Sequence, residues 1–145
     1  MKLLIKKSFK YRIYPTGAQV SNLENQLSMC RHLYNWNLKE RIEAYEKDGT
    51  TISYNQQQNQ LPQLKIERPW YKGVYSQVLQ DVLRRLDNGY QAFFRRVENG
   101  ETPGFPNFKK HGEWNSITYP QYHAFPGSRI KIPKVGIVKT VHHRQ

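Results

Sequence analysis

The segment YSQVLQDVLRRLDNGYQAFFRRV, residues 75–97, carries the clearest structural pattern in the chain. Its apolar residues recur three or four positions apart from Leu79 to Val97, which is the spacing of one face of a helix. Arginines lie on or beside the flanks of that face, and Asn99-Gly100 follows as a stop signal. The pattern predicts one long helix that packs its apolar face against the protein core.

The residues near the start of the chain predict two further helices joined by a turn. Thr16-Gly-Ala-Gln19 has the form of a capping box and should begin the first of them. A second helix is expected from about Cys30, with Gly49 as its C-terminal cap. The turn between the two helices would then lie at residues 28–30.

A short polar helix is expected before the long one. Ser53 is suited to cap the segment YNQQQNQLPQL, residues 54–64, and Pro62 is expected to end or bend that helix. Residues 67–70, Glu-Arg-Pro-Trp, then predict a turn that carries an aromatic anchor.

The remaining segments predict strands and a stiff loop. SFKYRIYP, residues 8–15, alternates between apolar and basic residues and predicts a half-buried strand. The prolines of GETPGFPNFKK, residues 100–110, exclude a helix or a strand, so this loop is expected to return the chain from the long helix to a sheet. Three short strands are expected after the loop, at residues 116–120, 128–133 and 136–141.

The order of these elements predicts an α+β fold. A strand comes first, several helices follow, and further strands come last, so the helices would interrupt a small sheet. One early strand and three late strands make a thin sheet with open edges, and an open edge would also permit self-association.

The charge of the chain favours a nucleic-acid partner. Its 145 residues carry a net charge of +12, and basic side chains that neutralise phosphates release counterions and so gain affinity. Aromatic residues make up 13% of the chain, which suits base stacking where they are exposed and core packing where they are buried. The alternative is a basic surface that is simply solvated.

The single cysteine and the start of the chain bear on the cellular compartment in which the protein is expected. Cys30 has no second cysteine in the chain, which excludes an intramolecular disulfide or a cysteine zinc site and suits a reducing cytoplasm. The apolar run Leu3–Ile5 is too short for a signal peptide, and no segment is long enough to span a membrane.

The acidic residues do not suggest a metal site. They are expected to form solvated ion pairs on helix surfaces, Glu40, Glu43 and Glu46 with Lys39, Arg41 and Lys47, and Asp81 and Asp87 with Arg84 and Arg85. The five histidines lack the spacing of metal ligands. No cofactor and no catalytic residue is therefore expected, and the chemistry of the chain favours binding.

Two groups of side chains are candidates for that binding. Amides that can pair with base edges cluster in Tyr54-Asn-Gln-Gln-Gln and in Ser76 to Gln80, although plain solvation is the alternative for them. The candidate contacts to the nucleic-acid backbone are Lys6, Lys7, Lys10, Arg12, Arg31, Lys72, Arg84, Arg95, Lys109, Lys110, Lys131 and Lys134.

Five stretches of the sequence resemble the TnpB (OrfB) family of insertion-sequence proteins. They occur in the family's order and at its spacing: FKYRIYPTGAQVSNLENQLSMCRHLYNWNL (9–38), AYEKDGTTISYNQ (44–56), PWYKGVYSQVLQDVLRRLDNGYQAFFR (69–95), GFPNFKK (104–110) and RIKIPKVGIVK (129–139). Together they cover nearly the whole chain, and this makes the resemblance specific.

The resemblance implies a fold and a division into domains. Members of the family are RNA-guided DNA endonucleases, in which a wedge domain, a small β-barrel of the oligonucleotide-binding kind, is interrupted by a helical recognition lobe. Residues 1–15 and 101–145 would then belong to an incomplete wedge barrel, and residues 16–100 to the lobe. A RuvC-like nuclease half with an acidic triad and a zinc ribbon has no counterpart here, which implies no cleavage by this chain.

The resemblance also implies partners and site residues. The partners would be a guide RNA and target DNA, in a prokaryotic cytoplasm and near the nucleoid. The residues that match the family's readers of a short motif beside the target are Tyr54, Ser76, Gln77, Gln80, Tyr119 and Gln121.

Three hypotheses follow from the sequence. The chain is a nucleic-acid-binding remnant of a TnpB-like protein, or it is one piece of an intact guided endonuclease. The third is a simple helix-turn-helix module in which residues 30–45 enter a major groove, although Glu40, Glu43 and Glu46 would face phosphates poorly.

Overall fold

Two long helices form the centre of the computed structural model, which describes residues 12–119 and 129–141. Two short helices and a 3₁₀ segment connect them, and three strands form a small sheet. The elements are β1 (Arg12–Tyr14), α1 (Gly17–Asp48), α2 (Tyr54–Asn59), α3 (Leu61–Glu67), the 3₁₀ segment (Pro69–Gly73), α4 (Ser76–Glu98), β2 (Arg129–Ile132) and β3 (Gly136–Val141).

Helix α1 is continuous, so the turn predicted at residues 28–30 is wrong. The predicted capping box is confirmed: the Thr16 hydroxyl accepts from the Gln19 backbone N–H at 3.2 Å, and the Gln19 side chain accepts from the Thr16 N–H at 2.9 Å. The helix ends where predicted, at Gly49 in the left-handed region (φ 67°). Ser-Met-Cys contains no helix breaker, and Cys30 lies fully buried on the face that packs in the core.

Helix α4 confirms the prediction for residues 75–97 within one residue at each end. Leu79, Val82, Leu83 and Leu86 are buried along its apolar face. The last part of that face leaves the core, since the Phe94 side chain is 44% exposed.

Pro62 begins a helix, whereas the sequence predicted that it would end or bend one. It lies in the first turn of α3, where a proline loses nothing because the first N–H groups of a helix have no acceptor. The cap predicted at Ser53 is confirmed, since its hydroxyl accepts from the Gln56 N–H at 3.2 Å.

The hydrophobic core is built almost wholly from the helices. Buried residues of α1, α3, the 3₁₀ segment and α4 form one cluster, which Trp114 from the later loop joins. The ring centroids of Trp114 and Tyr34 lie 5.2 Å apart, and the Arg85 guanidinium carbon lies 4.9 Å from the Trp114 ring centroid. The segment after α4 is therefore fixed to the helices by an aromatic side chain.

The loop at residues 100–110 contains no helix or strand, as predicted. Phe105 packs edge-to-face on Tyr90 and on Phe93, with ring centroids 5.3 Å apart in both pairs. Asn35 holds the backbone of Lys109 from both sides: its amide nitrogen donates to the carbonyl oxygen at 2.9 Å, and its oxygen accepts from the N–H at 2.8 Å.

The sheet is antiparallel with the strand order β1-β3-β2. The predicted late strands at 128–133 and 136–141 are confirmed as β2 and β3. The early strand is present, but Ile13 and Tyr14 are 36% and 46% exposed, so its predicted half-buried character is not seen in residues 12–14. The assignment of these strands to an incomplete barrel stays a prediction. The division into domains at residues 1–15, 16–100 and 101–145 also stays a prediction.

No strand forms at residues 116–119, which contradicts the prediction for 116–120; Pro120 lies outside the described residues. The polar side chains of this segment instead bind α4. The Arg85 guanidinium donates to the Ser116 hydroxyl at 3.0 Å and to the Thr118 hydroxyl at 2.7 Å. These bonds hold the segment along the helix rather than beside another strand.

Side-chain amides connect α1 to the sheet. The Gln19 amide nitrogen donates to the Ile137 carbonyl at 2.8 Å, and that of Asn22 donates to the Lys134 carbonyl at 3.1 Å. Gln19 thus uses its oxygen to cap α1 and its nitrogen to bind β3.

Candidate nucleic-acid interface

Tyr54 and Arg84 form the centre of the candidate site. Tyr54 is the first residue of α2, and the Arg84 guanidinium carbon lies 5.4 Å from its ring centroid. An Arg84 nitrogen also donates to the Tyr54 hydroxyl at 3.5 Å. Arg84 is exposed, so the pair presents a phenol and a cation side by side at the surface. The hydrogen bond to Tyr54 raises the pKa of Arg84 above its ordinary value.

Ser76 is placed at the start of α4, beside a second cation. Its hydroxyl accepts from the Lys65 ammonium at 3.0 Å. The N-cap position belongs to Tyr75, which makes no side-chain cap, so the alternative role of Ser76 as a plain helix cap is not observed. Ser76 remains exposed and available to a ligand.

Two neighbouring rows of side chains connect these residues along α4. Ser76, Gln80 and Arg84 are each four positions apart and so form one row, while Gln77 and Arg85 lie on the row next to it. Tyr54 lies against the first row, and residues 116–118 lie against the second.

Tyr119 completes this arrangement. Its ring is stacked on that of Tyr75, with centroids 6.2 Å apart and an angle of 29° between the planes. The described residues that were predicted to read DNA therefore gather around the first half of α4. Gln121, the other predicted reader, lies outside the described residues.

The predicted backbone contacts divide into three groups. Those that are exposed are Arg12, Lys72, Arg84, Arg95, Lys110, Lys131 and Lys134. Arg31 and Lys109 are partly buried and have partners within the protein: Arg31 donates to the Lys109 carbonyl at 3.4 Å, and the Lys109 ammonium lies 5.7 Å from the Tyr34 ring centroid. Lys6, Lys7 and Lys10 lie outside the described residues.

Gln57 does not belong to the exposed amide cluster that the sequence predicted. Its side chain is fully buried, and its nitrogen donates to the Asn37 carbonyl at 2.9 Å. Its oxygen accepts from the Arg41 guanidinium at 2.8 Å. Gln57 therefore fixes α2 against α1 and has no capacity left for a base.

Arg41 was also predicted wrongly, as a solvated partner of the glutamates on α1. It is buried and pairs with Asp87 of α4 at 3.1 Å, because it lies on the face of α1 that packs against the other helices. The predicted pairing is confirmed for Asp81 with Arg85, whose charged atoms are 2.9 Å apart.

A cavity of about 740 Å³ adjoins the Tyr54–Arg84 pair. It opens between the C-terminal halves of α1 and α4, and Tyr54, Phe94 and Phe105 contribute aromatic walls. The sequence reasoning did not find it. The available signal was the adjacent pair Phe93-Phe94, which extends the apolar face of α4 to its C-terminal end and lines this cavity.

Nucleophilic chemistry is disfavoured at Cys30. The side chain is fully buried, and this burial raises the pKa of the thiol to about 12. Within residues 12–119 and 129–141, no three histidine, cysteine or acidic side chains are grouped so that they could hold a metal ion. Over the same residues, no helix has the length and apolar character needed to cross a membrane.

Comparison with known proteins gives the same family as the sequence patterns. Residues 1–50 match the family model HTH_OrfB_IS605, which describes a helix-turn-helix domain. Two relatives named "Putative RNA-guided DNA endonuclease" are each 32% identical: InsQ of Escherichia coli K12 over 143 residues, and a protein of Streptomyces pristinaespiralis over 108 residues.

These matches cover most of this chain and a minor part of each relative. They include 96% and 73% of the chain, but only 34% of the Escherichia coli protein and 26% of the Streptomyces protein. The chain belongs to the TnpB (OrfB) family of insertion-sequence proteins and spans about a third or less of the length of these relatives.

Proposed function

We propose that this chain binds nucleic acid and that the surface around the first half of α4 reads duplex DNA. The observation that carries this function is the gathering of Tyr54, Gln80, Arg84 and Tyr119 into one surface from three separate parts of the sequence. Amide, hydroxyl and guanidinium groups are the side chains that pair with base edges.

The charge of the chain supports the same function. A net charge of +12 favours any nucleic acid, while the exposed arginines and lysines contact phosphates and set the register on the strand. The two relatives are named as RNA-guided DNA endonucleases, and this supports a guide RNA and its target DNA as the partners of the present chain. Cleavage is not assigned to these residues.

Groove binding through residues 30–45 stays an alternative, because residues 1–50 match the helix-turn-helix family model. Cys30, Leu33 and Leu38 are buried against the protein's own core, so only the opposite, exposed face of α1 could meet a groove. The turn predicted at residues 28–30 is replaced by continuous helix. A role as one piece of a longer guided endonuclease stays open as a second function, because the relatives are about three times longer or more.

Selection of binding sites from random DNA duplexes tests the proposed function. The wild-type chain should enrich a short motif, and Gln80→Ala should relax the preference at one base pair, where a lost bidentate contact lowers discrimination about 10-fold. Gln91→Ala, an exposed glutamine further along α4, is the matched control and should enrich the wild-type motif.

A salt series separates base reading from phosphate contact. Lys131→Ala should weaken binding equally for all sequences and reduce the slope of log K against log salt by about one. An affinity that does not change between low and moderate salt, or a Gln80→Ala variant that enriches an unaltered motif, would contradict the proposed function.

A further inference from the structure

An exposed group of rings lies on a separate set of elements from the α4 surface. His32 and Trp36 are one turn apart on α1, with ring planes only 12° from parallel and centroids 6.4 Å apart. Trp70, from the 3₁₀ segment, meets the His32 ring edge-on at 5.0 Å. Trp36 and Trp70 are 38% and 44% exposed, respectively. We call His32, Trp36, Trp70 and the adjacent Arg68 the indole surface.

The rings of the indole surface are held in place from below. Tyr71 is 1% exposed, and its hydroxyl lies 2.6 Å from the His32 ring nitrogen Nδ1. The Tyr71 ring also packs on Trp70, with centroids 4.1 Å apart. Because these contacts already order the side chains, a ligand that stacks on them meets a small entropic cost.

The charges around these rings match an anionic ligand. The Arg68 guanidinium carbon lies 4.1 Å from the Trp36 ring centroid. Among the described residues, Arg68 forms no ion pair, so its charge is not compensated by a carboxylate. Lys72, two residues after Trp70, is exposed. Burial, and then Arg68 and Arg31, lower the pKa of His32, which keeps its ring uncharged near neutral pH.

We propose that the indole surface stacks the unpaired bases of a single-stranded nucleic acid, with Arg68 and Lys72 contacting its phosphates. Exposed aromatic rings beside uncompensated cations are the arrangement that binds single strands with little regard to sequence. A duplex fits less well, because its bases are already stacked on one another and hide their faces. This role depends on the chain binding nucleic acid, and it adds a strand-binding surface to the duplex-reading surface of α4.

Tryptophan fluorescence reports on this surface directly. Trp36 and Trp70 are exposed while Trp114 is 6% exposed, so a stacked base should quench the first two and leave the third. Oligothymidine should quench the emission. An abasic strand of equal length and charge should bind through its phosphates at low salt without comparable quenching, since it offers no base to stack.

Matched substitutions locate the contact. Trp36→Leu and Trp70→Leu should each weaken oligothymidine binding about 10-fold. Phe94→Leu is the control, because Phe94 is an aromatic residue of the same exposure as Trp70 and lies outside the indole surface. Trp36→Phe and Trp70→Phe keep a ring and should retain most of the affinity. If a leucine variant fails to fold, these phenylalanine variants and the abasic strand still decide the outcome.

Two results would overturn this inference. One is equal quenching by the abasic strand; the other is wild-type affinity for oligothymidine in both leucine variants. If the same variants still bind duplex DNA in a salt-dependent way, the proposed function stands and only the strand-stacking role fails. If the wild-type chain binds neither duplex nor single strand, both fail together.

Discussion

At the scale of single residues, Arg41 shows how the fold assigns roles that a local pattern hides. In sequence it resembles Lys39 and Lys47, which also lie among the glutamates of α1. In the structure its guanidinium binds Gln57 of α2 and Asp87 of α4 and lies 4.8 Å from the Tyr90 ring centroid. A charge pattern predicts that a partner exists, but the choice among partners depends on which helix face is buried.

Removing Arg41 should therefore destabilise the protein strongly. Arg41→Ala leaves the Asp87 carboxylate and the buried Gln57 oxygen without this partner, and we expect a loss of about 3 kcal/mol in the free energy of unfolding. Urea unfolding measures it. Lys39→Ala is the control, because the Lys39–Glu43 pair is exposed with its atoms 3.8 Å apart and should contribute less than about 1 kcal/mol. Equal losses in the two variants would show that Arg41 does not hold the helices together.

The glutamines of α2 illustrate a second limit of what the sequence predicts about single side chains. Gln57 lies one residue beyond Gln56 in a run of glutamines, yet it is fully buried while Gln56 is exposed. Identical side chains in one run differ because α2 turns each of them to a different side. Composition identified the polar cluster, but only the packing of α2 against α1 shows which of its amides a ligand can reach.

At the scale of elements, the two long helices differ in how well the sequence predicts them. Helix α4 has a strongly one-sided distribution of apolar residues, so its limits were predicted closely. Helix α1 is weakly amphipathic, and its interior was divided in error. A signal of continuity was nevertheless present, because the apolar positions from Val20 to Leu38 keep a spacing of three or four straight through residues 28–30.

Substitutions at Ser28 distinguish a continuous helix from a turn. Ser28 is exposed in the middle of α1, so its effect on stability should follow helix propensity. We expect Ser28→Ala to raise the free energy of unfolding by about 0.5 kcal/mol and Ser28→Gly to lower it by a similar amount. The two variants are controls for one another in urea unfolding. A glycine variant as stable as the alanine variant would indicate a turn at this position.

At the scale of the whole molecule, the helices and the sheet have separate interiors. The main core joins α1, α3, the 3₁₀ segment, α4 and Trp114, whereas Val138 of β3 is buried outside that cluster. The sequence predicted the helices and most of the strands from local patterns. It could not predict which strand pairs with which, because β1 and β3 are far apart in the chain and no local pattern encodes their register.

We therefore expect residues 16–119 to fold without the sheet. This fragment keeps every member of the main core and loses the Gln19 bond to β3 and the Asn22 bond to the turn between β2 and β3, each of which contributes about 1 kcal/mol. It should unfold cooperatively, with circular dichroism that keeps the helical signal. A fragment of residues 16–100 lacks Trp114 and the Asn35–Lys109 bonds and should be far less stable. Similar stability of the two fragments would show that the later loop is dispensable for the core.

The position of β3 at the centre of the sheet has a consequence for the nascent chain on the ribosome. The helical core is complete once Trp114 has been made, but β1 finds its partner only after residues 136–141 emerge. At ordinary rates of translation that interval is roughly 1–5 s. Residues 12–14 are synthesised well before their partner strand β3, and until β3 emerges the backbone of β1 is open to any other strand that meets it.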